Sequence, residues 1–186
     1  MLFRSGFINP SEQLFDAGTM SELLGMTIQN VSPGSIDVQF PDGRVVGAEY
    51  PTDPRFAVTD PSAEQLATYH ANPEMVAVAR KGNAIFYGGA LLDADFVRET
   101  ARHAGVHIFC DSDDNFYEGN GIISIHAIQP GAKTIHFPVP TDVLDIFTGE
   151  VLARQVAELT IPMEAFQTRV LLTGEVDEFL QWIARE

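Results

Sequence analysis

Apolar and polar positions along the chain alternate between helical and strand-like runs up to Gly105 and are almost entirely strand-like from Val106 to Leu172. Over residues 11–25, Leu14, Phe15, Met20, Leu23 and Leu24 form an interrupted helical stripe, with Ser11 placed to cap it and Gly25 to end it. Short strand-like runs follow over 27–31, 35–40, 45–48 and 56–58. Between them stand Ser32-Pro33-Gly34, Pro41-Asp42-Gly43 and Pro51-Thr52-Asp53-Pro54, the composition of tight turns. Residues 64–70 read as a short turn or strand. The apolar runs 75–80 and 84–87 then flank Lys81-Gly82-Asn83 as a hairpin, and the second leads into Gly88-Gly89. Leu92, Phe96, Val97, Thr100 and Ala101 recur at helical spacing, which predicts a helix over 91–104 stopped by Gly105.

Beyond Gly105 the period shortens to two. Ile123, Ile125 and Ala127 alternate with Ser124 and His126. Short strands are expected at 106–109, 115–117, 122–127, 134–137, 143–145, 158–161 and 168–172. Seven strands punctuated by Gly119-Asn120-Gly121, Pro130-Gly131, Pro138 and Thr148-Gly149 have the rhythm of a small β-sandwich or barrel, of which the sandwich is the expectation. Val176, Phe179, Leu180 and Ile183 then mark an amphipathic helix over 175–186. The expected organisation is an α/β domain over 1–105, an all-β sandwich over 106–174 and the terminal helix.

Charge narrows the function classes. Eleven basic against 26 acidic residues among 186 give a net charge of −15, so nucleic acid and anionic membrane surfaces are not expected partners. A hydrophobic content of 45% supplies a packed core. No apolar run reaches the roughly 20 residues of a membrane-spanning helix. No signal peptide is visible at the amino end, which leaves the compartment open, the cytoplasm included. The single Cys110 excludes an internal disulfide. Gly6-Phe7-Ile8-Asn9-Pro10 reads as the end of a strand with only five residues before it, so the natural gene is expected to continue upstream of Met1.

Candidate chemistry is sparse. Asp111, Asp113, Asp114, Asn115 and Glu118 place several oxygen donors within eight residues, and Asp111, Asp113 and Asn115 begin like positions one, three and five of a calcium loop. Phe116 at position six and Ile122 at position twelve break the pattern, so these three residues are weak metal candidates and an acidic turn-forming loop is favoured. Cys110 has His103 and His107 nearby in sequence, but Phe109 and Asp111 are poor flanks for a nucleophile elbow, and a buried structural thiol is the expected role. His126 and His136, expected to face one another across paired strands, have no recognisable metal spacing. Gly88-Gly89-Ala90 could offer amides to an anion, although a packing turn accounts for it better. Phe116, Tyr117 and Trp182 are candidate sugar-stacking residues, with core packing as the commoner fate. No residue is assigned to catalysis, and no cofactor is implied.

One resemblance adds to this reading. The run Val97-Arg98-Glu99-Thr100-Ala101-Arg102-His103-Ala104-Gly105-Val106-His107-Ile108-Phe109, followed by Asp111-Ser112-Asp113-Asp114 and Ile122-Ile123-Ser124-Ile125-His126-Ala127, resembles the tail of β-galactosidase-like glycoside hydrolases. Lys133-Thr134-Ile135-His136-Phe137-Pro138 and Asp142-Val143-Leu144-Asp145-Ile146-Phe147-Thr148-Gly149-Glu150 are similar to the short β-domain that closes such chains. Upstream, Gly6-Phe7-Ile8-Asn9, the Met20 to Met26 segment and residues 77–90 look like the latter half of the trimerisation domain of those enzymes. That domain has a class I glutamine amidotransferase-like, or flavodoxin-like, fold. The resemblance therefore implies an N-terminally truncated piece of such a hydrolase, with homo-oligomeric partners and a catalytic barrel earlier in the same chain. Its implied function is a non-catalytic oligomerisation or accessory module in carbohydrate degradation. The alternatives are a carbohydrate-binding β-sandwich using the 111–118 loop and a freestanding amidotransferase-like enzyme.

Overall fold

The computed structural model describes residues 2–4, 8–9, 14–47, 49 and 51–184. Two compact units divide the chain, residues 1–97 and 98–186.

In the first unit the chain runs through β1 (Leu2–Arg4), β2 (Ile8–Asn9), β3 (Leu14–Phe15) and α1 (Ala17–Leu24). Next come β4 (Ile28–Val31), β5 (Gly34–Ser35), β6 (Val38–Gln39), β7 (Val45–Val46), β8 (Pro51–Thr52) and β9 (Arg55–Val58). The unit closes with β10 (Glu64–Tyr69), β11 (Asn72–Lys81) and β12 (Ala84–Tyr87), followed by α2 (Ala94–His103), whose first residues belong to it. The main sheet has the order β1-β12-β11-β10-β6-β7, with β4 attached through β9 to β11. Four consecutive residues of β11, Val76 to Ala79, are buried. Successive strand side chains point to opposite faces, so this sheet is covered on both sides. One cluster gathers Met20 and Leu24 of α1 with Ile28, Phe56, Val58 and Phe86. The other gathers Val38, Tyr69, Val78, Ile85, Tyr87 and Phe96.

The helix expected over 11–25 is shorter in the structure. Leu14 and Phe15 pair as a strand with Ile8 and Asn9, and Asp16 caps α1 by accepting the Gly18 amide at 2.8 Å. Gly25 ends the helix in the left-handed region, with φ 64°, where a side chain would be strained. Ser11, Pro10 and the start of the Gly6 to Pro10 run lie outside the described residues.

The expected α/β domain, with an amidotransferase-like or flavodoxin-like fold, is not present. The chain is predominantly strand, with three short helices among its described residues. Parallel neighbours need a crossover of a dozen or more residues. From Thr27 to Tyr87 no helix supplies such a crossover and the pairing is antiparallel: short turns join β6 to β7, β10 to β11 and β11 to β12, while β4 pairs with β9 across the segment that holds β5 to β8. Among the described residues the sole parallel pairing is β1 with β12.

The second unit contains β13 (Asn115–Gly119), β14 (Ile122–His126), β15 (Gly131–Asp145), β16 (Val151–Met163), β17 (Thr168–Thr173) and α3 (Val176–Ile183). All five strands are antiparallel neighbours in one sheet of order β13-β14-β17-β15-β16, rather than the two sheets of a sandwich. The runs 134–137 and 143–145 are parts of the single strand β15, which slips register against β16 between His136 and Val143, around Pro138 and Pro140. Gln155 of β16 takes φ 47° opposite this irregularity. Beyond it, Val143 and Leu144 pair with both β16 and β17, and Asp145 pairs with β17. Ile135 and Phe137 from before the slip, and Val143 from after it, share one core with Ile123, Ile125, Ile161, Met163 and Leu171. One bent hairpin thus takes the place of a second sheet. Residues 106–109 are not a strand, although Phe109 packs on this core and its carbonyl accepts the His136 amide at 2.8 Å.

Candidate functional site

The loop from Asp111 to Glu118 is the sequence's densest group of oxygen donors, and its backbone is fixed by the start of β13 at Asn115. Its side chains do not converge. Asp113 pairs with Arg98, which also donates to the Ser112 carbonyl at 3.0 Å, and Asp111 pairs with Arg102. Arg98 and Arg102 lie four apart on α2 and so project from one helix face toward successive acids of the loop. Asn115 heads β13 opposite His126. The three weak metal candidates Asp111, Asp113 and Asn115 are therefore drawn to different partners. Among the described residues no three His, Cys, Asp or Glu side chains come together as a metal-binding group.

Asp114 behaves differently from its neighbours. Its side chain is 3% exposed and meets Lys133 Nζ, whose side chain is 8% exposed, at 2.8 Å. It also accepts the Ser112 hydroxyl at 2.6 Å and the Ile128 amide at 2.8 Å. Burial opposes its charge, but Lys133 and these donors outweigh burial and hold the carboxyl below its ordinary range. Asp145, buried at the end of β15, repeats the arrangement. Arg169 Nη1 donates to it at 2.7 Å, and the amides of Phe147 and Thr148 donate at 2.9 and 3.1 Å, closing the turn into β16. Burial again works against ionisation and is overcome, first by Arg169 and then by the two amides, so this carboxyl too is lowered. Arg169 Nε is buried without a hydrogen-bond partner. Neither carboxylate is free to act as an acid, base or nucleophile without breaking the turn it supports.

No nucleophile is assembled around Cys110. Its sulfur lies 3.0 Å from the Ser112 hydroxyl, whose one proton goes to Asp114, so the thiol is the donor in that contact. The histidines have partners of their own. His107 Nε2 lies 2.9 Å from the His136 carbonyl, His126 Nδ1 is 2.8 Å from Thr168 Oγ1, and His136 Nδ1 is 3.2 Å from Glu158. His126 and His136 stand on β14 and β15, which are not neighbours in the sheet. The glycine turn after β12 is set by packing: a Cβ on Gly88 would lie 2.4 Å from the Tyr69 hydroxyl, and one on Gly89 would lie 2.6 Å from Val38. Phe116 stacks on Phe109 with ring centres 5.9 Å apart, while Tyr117 is 71% exposed on the edge strand β13. The Trp182 side chain lies outside what is described.

Sequence reasoning did not find the partners that make these acids structural. No sequence signal singles out Lys133, Arg169 or, in the first unit, Arg55, yet Lys133 and Arg55 are buried and Arg169 is only partly accessible. Arg55 Nη1 donates to the Ser35 carbonyl and Asn72 Oδ1, each at 3.0 Å, and Nε donates to the Ser32 carbonyl at 3.0 Å. Its guanidinium lies 4.7 Å from the Tyr69 ring centre. The Tyr69 hydroxyl donates to the Phe56 carbonyl at 2.7 Å, and burial raises its pKa to about 12. Partners 13 or more residues apart leave no local signature.

No protein-family model and no curated protein sequence matches the chain. Among the described residues no helix is long and apolar enough to cross a membrane.

Proposed function

We propose that the chain is a non-catalytic accessory and oligomerisation module of a β-galactosidase-like glycoside hydrolase. The observation that carries this reading is where the resembling blocks place their charged residues. Arg98 and Arg102 from the first block pair with Asp113 and Asp111 of the next, and Asp114 of that block pairs with Lys133 of the fourth. In the last block, Asp145 ties its turn to Arg169. These pairs tie blocks that are separate in sequence to one another, a structural use for their charged residues that needs no catalytic role. The function is positional: such a unit holds other domains or subunits by packing.

Deleting the equivalent segment from an intact hydrolase of this kind is expected to change its subunit assembly, measured by light scattering, and to lower its melting temperature. An intact oligomer of unchanged stability would refute the proposal, as would turnover of an aryl β-galactoside by this chain alone.

A further inference from the structure

We propose that Asn120 is a modification site, whose side-chain amide is lost to the adjoining Gly121 amide when the β13–β14 hairpin opens. The inference is independent of the accessory role. Asn120 and Gly121 form the whole connection between Gly119 and Ile122, which face each other as the last pair of the two strands. Asn120 is exposed, and among the described residues no hydrogen bond engages its side chain or the Gly121 N–H. Gly121 has no side chain to crowd its nitrogen. The other asparagines lack such a neighbour: Pro10 and Pro73 after Asn9 and Asn72 have no N–H, and Val31, Ala84 and Phe116 after Asn30, Asn83 and Asn115 carry side chains.

The Gly121 nitrogen gives its proton to solvent base and attacks Cγ of Asn120. The new N–Cγ bond closes a five-membered succinimide, the Cγ–Nδ2 bond breaks, and the departing nitrogen takes up a proton and leaves as ammonia. One water then opens the ring. Attack at Cγ leaves aspartate, and attack at the main-chain carbonyl leaves isoaspartate, with the chain running through the side chain. In the closed turn both residues are left-handed, with φ 53° and 77°, whereas the ring fixes the asparagine backbone outside that region, so the hairpin must open first. Isoaspartate adds a methylene to the main chain, which a two-residue loop cannot absorb while keeping Gly119 opposite Ile122. The Gly121 carbonyl, which accepts the Thr173 amide at 2.7 Å and its hydroxyl at 3.1 Å, is displaced with it.

The full chain is incubated in mildly alkaline buffer and its peptides are followed by mass spectrometry, with electron-transfer fragmentation to tell isoaspartate from aspartate. Conversion at Asn120 is expected at least about tenfold faster than at Asn30, Asn83 or Asn115, with isoaspartate the major product, and faster again in urea, where the hairpin is open. Gly121→Ala, compared with wild type in urea so that its effect on folding does not enter, is expected to slow conversion at least about tenfold. The converted chain, separated by its added negative charge, is expected to exchange its β13 and β14 amide hydrogens at least about tenfold faster than Asn120→Asp, which carries the charge without the extra methylene. Conversion at Asn120 no faster than at the other three, a native rate matching that in urea, an undiminished rate in Gly121→Ala, or exchange in the converted chain no faster than in Asn120→Asp would overturn the assignment.

Discussion

Lys133 and Asp114 meet 2.8 Å apart with almost no contact with water, so their pairing energy and their desolvation are both large. Removing one partner is far worse than removing both. Asp114→Ala is expected to cost about 3–5 kcal/mol in urea denaturation, because it strands a buried ammonium, whereas the double change Asp114→Leu with Lys133→Met should cost much less. A double variant as unstable as the single one would mean that the Ile128 amide and the Ser112 hydroxyl, not Lys133, are what the carboxylate supports. These residues also show where the sequence was opaque. The acidic run from Asp111 was visible at once, but the difference between exposed Asp113 and buried Asp114 is made by a lysine 19 positions later in the chain.

At the level of elements, turns were the legible part. Asn120-Gly121 links β13 to β14 as a two-residue loop with φ of 53° and 77°, the conformation for which an Asn-Gly pair is suited. Gly121→Ala is expected to cost roughly 1–2 kcal/mol, since it puts a side chain in the left-handed region and a Cβ 3.1 Å from the Thr173 carbonyl. Gly119→Ala, where a Cβ would meet nothing within 4 Å, should be close to neutral in the same denaturation series. The hairpin of β11 and β12 and the helix α2 were equally readable, because local period and local punctuation agree there. Two elements were not. The 106–109 run has strand composition but finds no ladder partner beyond the single Phe109 carbonyl, and β15 runs straight through a Pro138 that looks like a terminator. Tertiary pairing decided both, as it did the antiparallel sheet of the first unit, whose short turns outweighed the likeness to a parallel fold.

Across the whole molecule, a charge of −15 sets net repulsion against a network of specific pairs. Acidification relieves the repulsion first, since the chain approaches its isoelectric point near 4.5. The carboxyls of Asp114, Asp142 and Asp145 are all held below the ordinary value. For Asp142 the chief cause is Arg154, which bridges it to Asp177. A depressed folded-state pKa contributes stability that is complete above the unfolded value, about 3.9, and is lost as pH falls through the folded one. Urea midpoints are therefore expected to hold between pH 7 and 5 and to fall below about pH 4. The advantage of wild type over Asp145→Asn should shrink over that same acid range, and a constant difference down to pH 2 would exclude Asp145 as a source of acid sensitivity.

The order β13-β14-β17-β15-β16 also bears on synthesis. β14 finds one neighbour immediately before it in the chain, but its other edge waits for β17, whose last pairing residue is Leu172 opposite Ile122. Until the ribosome has released Leu172, β14 presents an open edge to whatever is nearby, other nascent copies included. A translation stop anywhere before Thr168 therefore leaves a product whose second unit is unfinished at its centre rather than trimmed at its end.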